Sequence, residues 1–211
     1  MPDRLRAAIV GATGYTSLEL LRWLLRHPQV KVTVLASRKT EQPISEIFPE
    51  LLGRIDLPIE PFEPKVIAQK ADIAFLCVPH ATAMQYAPEL LSVGLRVIDL
   101  SADYRLKDTR LYEKWYKHPH TDAENLAHAV YGLPDLFARQ IASAKLIANP
   151  GCYTTSAILP LAPLVKAGLI DSRVRTSIKT RSPLSNATKS SSPFGQSTRR
   201  ATTRMRSLRR A

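Results

Sequence analysis

Apolar runs and amphipathic stretches alternate along the first 170 residues. Strands are predicted in five apolar segments, at residues 5–10, 30–36, 72–78, 96–100 and 145–148. Leucines at helical spacing predict a helix that closes at His27, and apolar faces predict helices over residues 81–92 and 152–166. Because strands that alternate with helices form βαβ units, the pattern predicts an α/β fold with a doubly wound parallel sheet. The Pro-rich stretch from Pro43 to Pro64 is expected to be irregular and exposed.

Charge divides the chain into two unlike parts near residue 172. The 211 residues carry a net charge of +12, and residues 172–211 contribute +11 of it, with 11 Lys and Arg and no Asp or Glu. Ser and Thr supply 15 of those 40 residues. We expect residues 173–211 to be a disordered basic tail or, more simply, the product of a shifted reading frame. Nucleic-acid binding is disfavoured, because a basic tail of that kind interleaves aromatic residues with its cations.

Gly11 and Gly14 lie between the first strand and the first helix. A dinucleotide pyrophosphate binds at such a turn, because glycines let the backbone approach closely and the helix start presents free N–H groups. A plain structural turn is the alternative. Ser17 occupies the position where a third glycine would stand, and we expect it to loosen the packing of helix on strand slightly.

The end of the second strand indicates which dinucleotide is bound. An acid near this point is typical of NAD sites, whereas cationic or hydroxyl groups suit the 2′-phosphate of NADP. Here the strand runs into Ser37-Arg38-Lys39-Thr40, and the first acid is Glu41. NADP is therefore the predicted cofactor. The alternative is that Arg38 and Lys39 belong only to a solvated loop.

The two cysteines lie in different settings. Cys77 is part of an apolar strand and is interpreted as a small buried hydrophobic residue. Cys152 follows Asn149-Pro150-Gly151 and begins a helix, so its sulfur meets the positive end of the helix dipole. That setting stabilises a thiolate and makes Cys152 the candidate nucleophile. A buried cysteine at a helix start is the alternative.

His80 and Arg105 each follow a predicted strand, at the sheet edge where ligands bind. For His80, a role in a cofactor loop competes with a structural one. The planar guanidinium of Arg105 suits a phosphate or carboxylate, and an ion pair with a nearby acid is the alternative. No spacing indicates a metal site. The other histidines are interpreted as surface residues: His27, His118, His120 and His128.

Six further segments form an ordered set of motifs. They are residues 11–16 (GATGYT), 19–28 (ELLRWLLRHP), 78–81 (VPHA), 99–106 (DLSADYRL), 131–136 (YGLPDL) and 149–154 (NPGCYT). Together they resemble the N-acetyl-gamma-glutamyl-phosphate reductases of arginine biosynthesis, with Ser17 in place of the usual glycine. The resemblance implies a Rossmann-like NADP-binding domain over residues 1–150 and the start of an incomplete α+β catalytic domain over residues 151–172.

The resemblance also implies roles for individual residues, with Cys152 as the catalytic nucleophile. The residues expected to bind NADP are Gly11, Thr13, Gly14, Tyr15, Thr16, Ser37, Arg38, Pro79 and His80. The residues expected to bind the substrate are Ser101, Arg105 and Asn149. The family's acid-base histidine lies far downstream of the cysteine, whereas the last histidine here is His128. We therefore expect this chain to lack that histidine and to have impaired activity.

The implied reaction is the NADPH-dependent reduction of N-acetyl-L-glutamyl 5-phosphate to N-acetyl-L-glutamate 5-semialdehyde with release of phosphate, through a thioester on Cys152. The alternatives are an aspartate-semialdehyde dehydrogenase-like enzyme and a non-catalytic nucleotide-binding protein. The expected partners are the acyl-phosphate substrate and, from the family, other copies in a homo-oligomer. No membrane span or secretory signal is visible, so a cytoplasmic location is expected. The helix over residues 154–166 is expected to expose an apolar face, because its family partner sheet is not encoded.

Overall fold

A parallel β-sheet lies at the centre of the protein. The computed structural model describes residues 4–38 and 42–170. In chain order the strands are β1 (Leu5–Val10), β2 (Val30–Ala36), β3 (Ile59–Glu60), β4 (Ile73–Leu76), β5 (Arg96–Asp99), β6 (Val130–Tyr131) and β7 (Leu146–Ala148). Their spatial order is β3-β2-β1-β4-β5-β7-β6, and the paired strands are parallel throughout. The predicted doubly wound, Rossmann-like sheet is confirmed.

Helices connect the strands. They are α1 (Tyr15–Leu24), α2 (Ile44–Ile47), α3 (Pro64–Lys70), α4 (Ala83–Ser92), α5 (Thr109–Tyr116), α6 (Ala123–His128), α7 (Pro134–Ser143) and α8 (Cys152–Lys166), with a short 3₁₀ helix at Pro49–Leu51. Local sequence explains several of their starts. Proline occupies the first turn of α3 and α7, where its missing N–H costs nothing. The carboxylates of Asp108 and Asp122 accept backbone N–H groups at the starts of α5 and α6.

The sheet is buried on both faces, and β1 shows why. Its residues from Ala7 to Val10 are apolar and at most 1% exposed. Ala7 and Ile9 pack into the core layer that contains the leucines of α1, whereas Ala8 and Val10 pack into the layer that contains α3 and α4. Because side chains alternate across a strand, one continuous apolar run fills both layers.

The strand order creates a switch point between β1 and β4. The chain leaves β1 toward β2 and β3 on one side, and it returns to β4 and β5 on the other. The connections after β1 and β4 therefore diverge. The crevice outside the carboxyl ends of these two strands is where open α/β sheets bind ligands.

The stretch from Pro43 to Pro64 is exposed only in part and is less irregular than predicted. It contains α2, the 3₁₀ helix and β3, and four of its apolar side chains are at most 9% exposed: Ile44, Leu51, Ile55 and Ile59. These side chains join the core layer of α1. The prolines interrupt the segment but leave Ile44, Ile47, Phe48 and Leu51 at helical spacing, and burial of that face orders the backbone.

Residues 101–144, for which no element is predicted, contain α5, α6, β6 and α7. One side chain of each of the first two helices reaches the core, Tyr112 from α5 and Leu126 from α6. His120 also departs from its interpretation as a surface residue, because it is partly buried and both ring nitrogens have partners. Its Nε2 lies 2.9 Å from the carbonyl oxygen of Asp103, and its Nδ1 accepts the Asp122 N–H at 3.2 Å.

α8 exposes apolar side chains, as predicted. None of its residues is buried, and Leu161 is 48% exposed. The residues through Leu169 form one compact unit. The predicted basic tail, residues 173–211, lies outside the described residues. Within residues 4–38 and 42–170, no helix has both the length and the apolar composition that a membrane crossing requires.

Candidate functional site

A cavity of about 490 Å³ opens at the switch point between β1 and β4. Its lining comes from the turn after β1, the end of β2, the loop after β4 and the start of α4. The lining residues are Val10, Gly11, Thr13, Gly14, Thr16, Ser37, Arg38, Cys77, Val78, Pro79, Thr82 and Tyr86. Seven of the nine residues predicted to bind the cofactor are therefore brought together in one place.

The turn after β1 lies directly against the loop after β4. Gly11 has a φ of +85°, and a Cβ atom there would lie 2.5 Å from the carbonyl oxygen of Cys77. Gly14 precedes α1, and no side chain caps the start of that helix. The first N–H groups of α1 are therefore able to bind an anion such as a pyrophosphate.

Ser17 ties α1 to this turn. Its side chain is fully buried, and its hydroxyl donates to the carbonyl oxygen of Ala12 at 2.8 Å. The serine is therefore accommodated through a satisfied hydrogen bond, where we expected it to loosen the packing.

Arg38 reaches the cavity from the end of β2, and two aromatic rings contact it. Its Cζ lies 4.3 Å from the ring centroid of Tyr86 and 5.7 Å from that of Phe62. The two rings meet edge to face, with centroids 4.6 Å apart. No ion pair among the described residues involves Arg38. Lys39, the neighbouring cation, lies outside the described residues.

Two predicted cofactor residues do not line the cavity, and five residues outside that prediction do: Val10, Cys77, Val78, Thr82 and Tyr86. The side chain of Tyr15 is 86% exposed, and the ring of His80 contacts the next loop instead. Thr82 and Tyr86 were missed by the sequence analysis. Their spacing of four residues on one face of the predicted helix was the signal that they share a surface.

Cys152 is the first residue of α8 and is exposed. Since it follows β7 in an all-parallel sheet, it lies at the same carboxyl edge as the turn after β1. No side chain caps the start of α8. The hydroxyl of Thr154 donates to the carbonyl oxygen of Gly151 at 2.8 Å, and that of Tyr131 donates to Thr154 Oγ1 at 3.2 Å. An exposed sulfur at an open helix start is the setting that a nucleophilic thiolate needs.

Arg105 joins the ends of β5 and β7 beside Cys152. Its Nε donates to the carbonyl oxygen of Asn149 at 2.8 Å, and its Nη2 donates to that of Leu100 at 3.1 Å. Its Nη1 lies 3.1 Å from the position of a Cβ atom at Gly151. Arg105 thus contacts the turn before Cys152 through backbone carbonyls. It forms no ion pair within the described residues.

The side chain of Ser101 points into the protein, although we predicted that it binds the substrate. Ser101 is 2% exposed, and its Oγ donates to Asp99 Oδ2 at 2.9 Å while its N–H donates to Oδ1 at 2.8 Å. Burial raises the pKa of the Asp99 carboxyl to about 6, and these bonds oppose the shift only in part. Asn149, the third predicted substrate residue, is half-buried and donates its N–H to the carbonyl oxygen of Asp99 at 2.8 Å.

Cys77 lies partly buried in the cavity wall, packed against the core layer of α1. Burial raises the pKa of its thiol to about 12, and the negative charge of Asp99 adds to the shift. Cys77 thus packs as a small hydrophobic residue, although it is partly buried where full burial was expected. Among the described residues, no group of three or more His, Cys, Asp or Glu side chains is arranged to hold a metal ion.

The glycine turn and the cavity at the switch point are the features of an NAD(P)-binding domain. Residues 6–144 match the family model described as the semialdehyde dehydrogenase, NAD binding domain. The chain therefore belongs to this family.

Within the family, the chain is a homologue of the N-acetyl-gamma-glutamyl-phosphate reductases. It is 50% identical over 170 residues to the reductase of Rhodopirellula baltica and 53% identical over 170 residues to that of Geobacter sp. strain M21. Each alignment covers 80% of this chain and 49% of the relative. The chain thus spans about half the length of the curated relatives it matches, and the resemblance read from its motifs is confirmed.

Solved structures of more distant proteins share the fold. Aspartate semialdehyde dehydrogenase with NADP from Candida albicans superposes with a TM-score of 0.58 at 17% identity, over 78% of this chain and 48% of that one. Aspartate semialdehyde dehydrogenase II from Vibrio cholerae gives a TM-score of 0.55 at 19% identity, over 78% and 47%. At these identities the likeness supports the architecture alone.

Proposed function

We propose that the cavity binds NADP(H) and that Cys152 is the nucleophile of an acyl-phosphate reductase acting on N-acetyl-L-glutamyl 5-phosphate. The observation that carries the proposal is the position of Cys152, exposed at the start of α8 on the same sheet edge as the Gly11 turn. The substrate is supported by the relatives at 50% and 53% identity, which are named for it.

The residues of the cavity fit a dinucleotide. Gly11 and Gly14 line the cavity without side chains, and the open start of α1 suits the pyrophosphate. Arg38, held against Tyr86, presents its charge at the end of β2, where a 2′-phosphate would lie. This cation, with Ser37 beside it, favours NADP over NAD. When bound, NADPH supplies the hydride that reduces an acyl thioester to the aldehyde.

Cys152 performs the covalent step. Its thiolate, stabilised by the start of α8, attacks the acyl carbon of the substrate, and the bond from that carbon to the phosphate oxygen breaks. Inorganic phosphate leaves with the bonding electron pair, and the acyl group remains on the sulfur as a thioester. Reduction of this thioester returns the sulfur to the thiolate form.

Arg105 supports this step from the neighbouring loop. Its Nε and Nη2 hold the ends of β7 and β5, so the guanidinium is fixed beside the turn that precedes Cys152. Its Nη1 forms no hydrogen bond within the described part of the chain and remains able to donate to the substrate phosphate. Arg105 therefore combines a positioning role with the predicted substrate contact.

Acylation of the intact 211-residue chain tests the proposal without requiring full turnover. After incubation with N-acetyl-L-glutamyl 5-phosphate, mass spectrometry is expected to show one added N-acetylglutamyl group, released by hydroxylamine and mapped to the Cys152 peptide. Cys152→Ser is expected to remain unlabelled. Label on the Cys77 peptide, or none on either, would contradict the proposal. Faster acylation by β-aspartyl phosphate would favour the aspartate-semialdehyde dehydrogenase-like alternative.

A further inference from the structure

Two loops at the carboxyl edge of the sheet exchange hydrogen bonds in both directions. Residues 77–82 follow β4 and contribute four residues to the cavity lining. Residues 100–106 follow β5 and carry Arg105. The Ala81 N–H donates to Asp103 Oδ1 at 2.8 Å, and the Ala102 N–H donates to His80 Nδ1 at 3.0 Å. We call this reciprocal pair of hydrogen bonds the clasp.

Ala81 needs such a contact, because its backbone is strained. It has a φ of +61°, in the left-handed region that residues other than glycine seldom adopt. It lies between Pro79 and Thr82, both of which line the cavity. A conformation of this kind persists only where surrounding contacts hold it. The hydrogen bond to Asp103 is the contact available to the Ala81 N–H.

Asp103 is built into the fold as the anchor of the clasp. It is fully buried, and its carboxylate accepts the Met84 N–H at 3.4 Å and the Tyr112 hydroxyl at 2.8 Å besides the Ala81 N–H. The side chain of Thr82 does not cap α4, so Asp103 satisfies the start of that helix from another loop. Its own N–H donates to Ser101 Oγ at 3.1 Å.

We infer that Asp103 is a positioning residue for cofactor binding, which holds the 77–82 loop in its cavity-lining shape through Ala81, with His80 as the return contact. The inference deepens the proposed function and rests on it for the identity of the ligand. It also gives His80 a role in the cofactor loop different from the direct contact predicted from the sequence. Because the second loop carries Arg105, the clasp ties the cofactor cavity to the loop whose arginine contacts the turn before Cys152.

Asp103→Leu tests the inference, because leucine keeps the approximate size of the side chain and removes both oxygen acceptors. Asp122→Leu is a matched control. Asp122 is also buried, also caps a helix and also accepts a tyrosine hydroxyl, that of Tyr104 at 2.6 Å, but it is not hydrogen-bonded to residues 77–84.

Two measurements on the full chain separate the outcomes. In Asp103→Leu, amide hydrogen exchange at residues 81 and 84 is expected to be faster by about tenfold or more, and the Kd for NADPH is expected to rise about tenfold. In Asp122→Leu both quantities are expected to stay within about twofold of wild type, whatever the change in Tm. Unchanged exchange in Asp103→Leu overturns the clasp. Faster exchange with unchanged NADPH affinity overturns its role in cofactor binding.

A rescue by Ala81→Gly would show that Asp103 acts through the strained backbone conformation of Ala81. Glycine adopts a φ of +61° without strain, so the double variant Ala81→Gly with Asp103→Leu is expected to recover most of the lost NADPH affinity. A double variant as weak as Asp103→Leu alone overturns the role assigned to Ala81. If the wild-type chain binds no NADPH, but exchange at residues 81 and 84 is still slower in wild type than in the Asp103 variant, the proposed function is rejected and the clasp is retained.

Discussion

The carbonyl oxygen of Cys77 lies 2.5 Å from the position that a Cβ atom at Gly11 would occupy. Two separate conditions therefore require glycine at this residue, the close approach and a φ of +85°. The contact holds the turn after β1 against the loop after β4. Both residues line the cavity, so this contact between the two segments shapes its wall.

Gly11→Ala is expected to abolish measurable NADPH binding and to lower the free energy of unfolding by about 2–4 kcal/mol, because strain and a backbone clash add. Gly94→Ala is the matched control, with a φ of +86° and no atom within 4 Å of the added Cβ. Gly94→Ala introduces backbone strain without a clash, so we expect the free energy of unfolding to fall by about 1 kcal/mol and the NADPH affinity to stay unchanged. Urea denaturation and a fluorescence titration measure the two quantities. Equal effects of the two substitutions would refute the role of the Cys77 contact.

Arg38 and Tyr86 are expected to set the preference for NADPH over NADH. Arg38→Ala removes the cation at the end of β2 and should weaken NADPH binding by about tenfold or more while leaving NADH binding unchanged. Tyr86→Leu removes the ring that holds the guanidinium, so we expect a smaller loss with the same selectivity. Arg26→Ala, at an exposed arginine outside the cavity lining, serves as the control. Equal losses of affinity for NADPH and NADH would show that Arg38 does not bind the 2′-phosphate.

Asp99 is expected to make stability fall as pH rises from about 4 to about 6. Burial raises the pKa of this carboxyl from its ordinary value of 3.8 to about 6. In that range the folded chain retains a proton that the unfolded chain has released, so the free energy of unfolding decreases with pH and then levels off. The free energy of unfolding of Asp99→Asn, relative to that of wild type, should therefore increase by about 1–3 kcal/mol between pH 4 and pH 7. Urea denaturation at several pH values measures this difference.

Asp72→Asn provides a control of opposite sign for this pH experiment. The hydrogen bonds and charge of Arg6 lower the pKa of Asp72, so the stability that this pair contributes is present at neutral pH and is lost as the pH falls. The difference between Asp72→Asn and wild type should then shrink toward acid pH. A pH-independent difference for Asp99→Asn would mean that Asp99 is not protonated in the folded chain.

The apolar side chains of α8 are expected to cause self-association of the isolated chain. Leu161 is 48% exposed and Leu169, just beyond the helix, is 72% exposed. Exchanging both for lysine should reduce binding of a hydrophobic dye and shift sedimentation toward the monomer. Val66→Lys, at a 40% exposed valine on α3, is the control and should change neither. A wild-type chain that is monodisperse and resists proteolysis in residues 152–170 would contradict this expectation.

The elements that the sequence predicts well are those whose apolar pattern is long. β1, β2, α4 and α8 each present an unbroken run or a repeated face, and the structure contains them near the predicted bounds. α5 and α6 were missed because each is short and buries only one side chain, Tyr112 or Leu126. Ile44 and Leu51 were misjudged because their burial depends on α1, a partner distant in the sequence.

The residues of the candidate site also differ in how well the sequence predicts them. Gly11, Arg38 and Cys152 could be identified because each stands at the boundary of a predicted element, where parallel topology fixes its location. Ser101 and His80 were predicted from motifs that give position but not side-chain direction, and both turn toward other loops. The clasp could not be predicted at all, because it depends on the approach of two loops and on the unusual φ of Ala81.

Titration of the intact 211-residue chain with NADPH, and in parallel with NADH, tests the central claim most directly. The cavity geometry and the position of Arg38 predict saturable binding of one equivalent, with NADPH bound at least about tenfold more tightly than NADH. Equal affinities would contradict the assignment of the 2′-phosphate to Arg38, and the absence of saturable binding by either nucleotide from a folded chain would contradict the cofactor site itself.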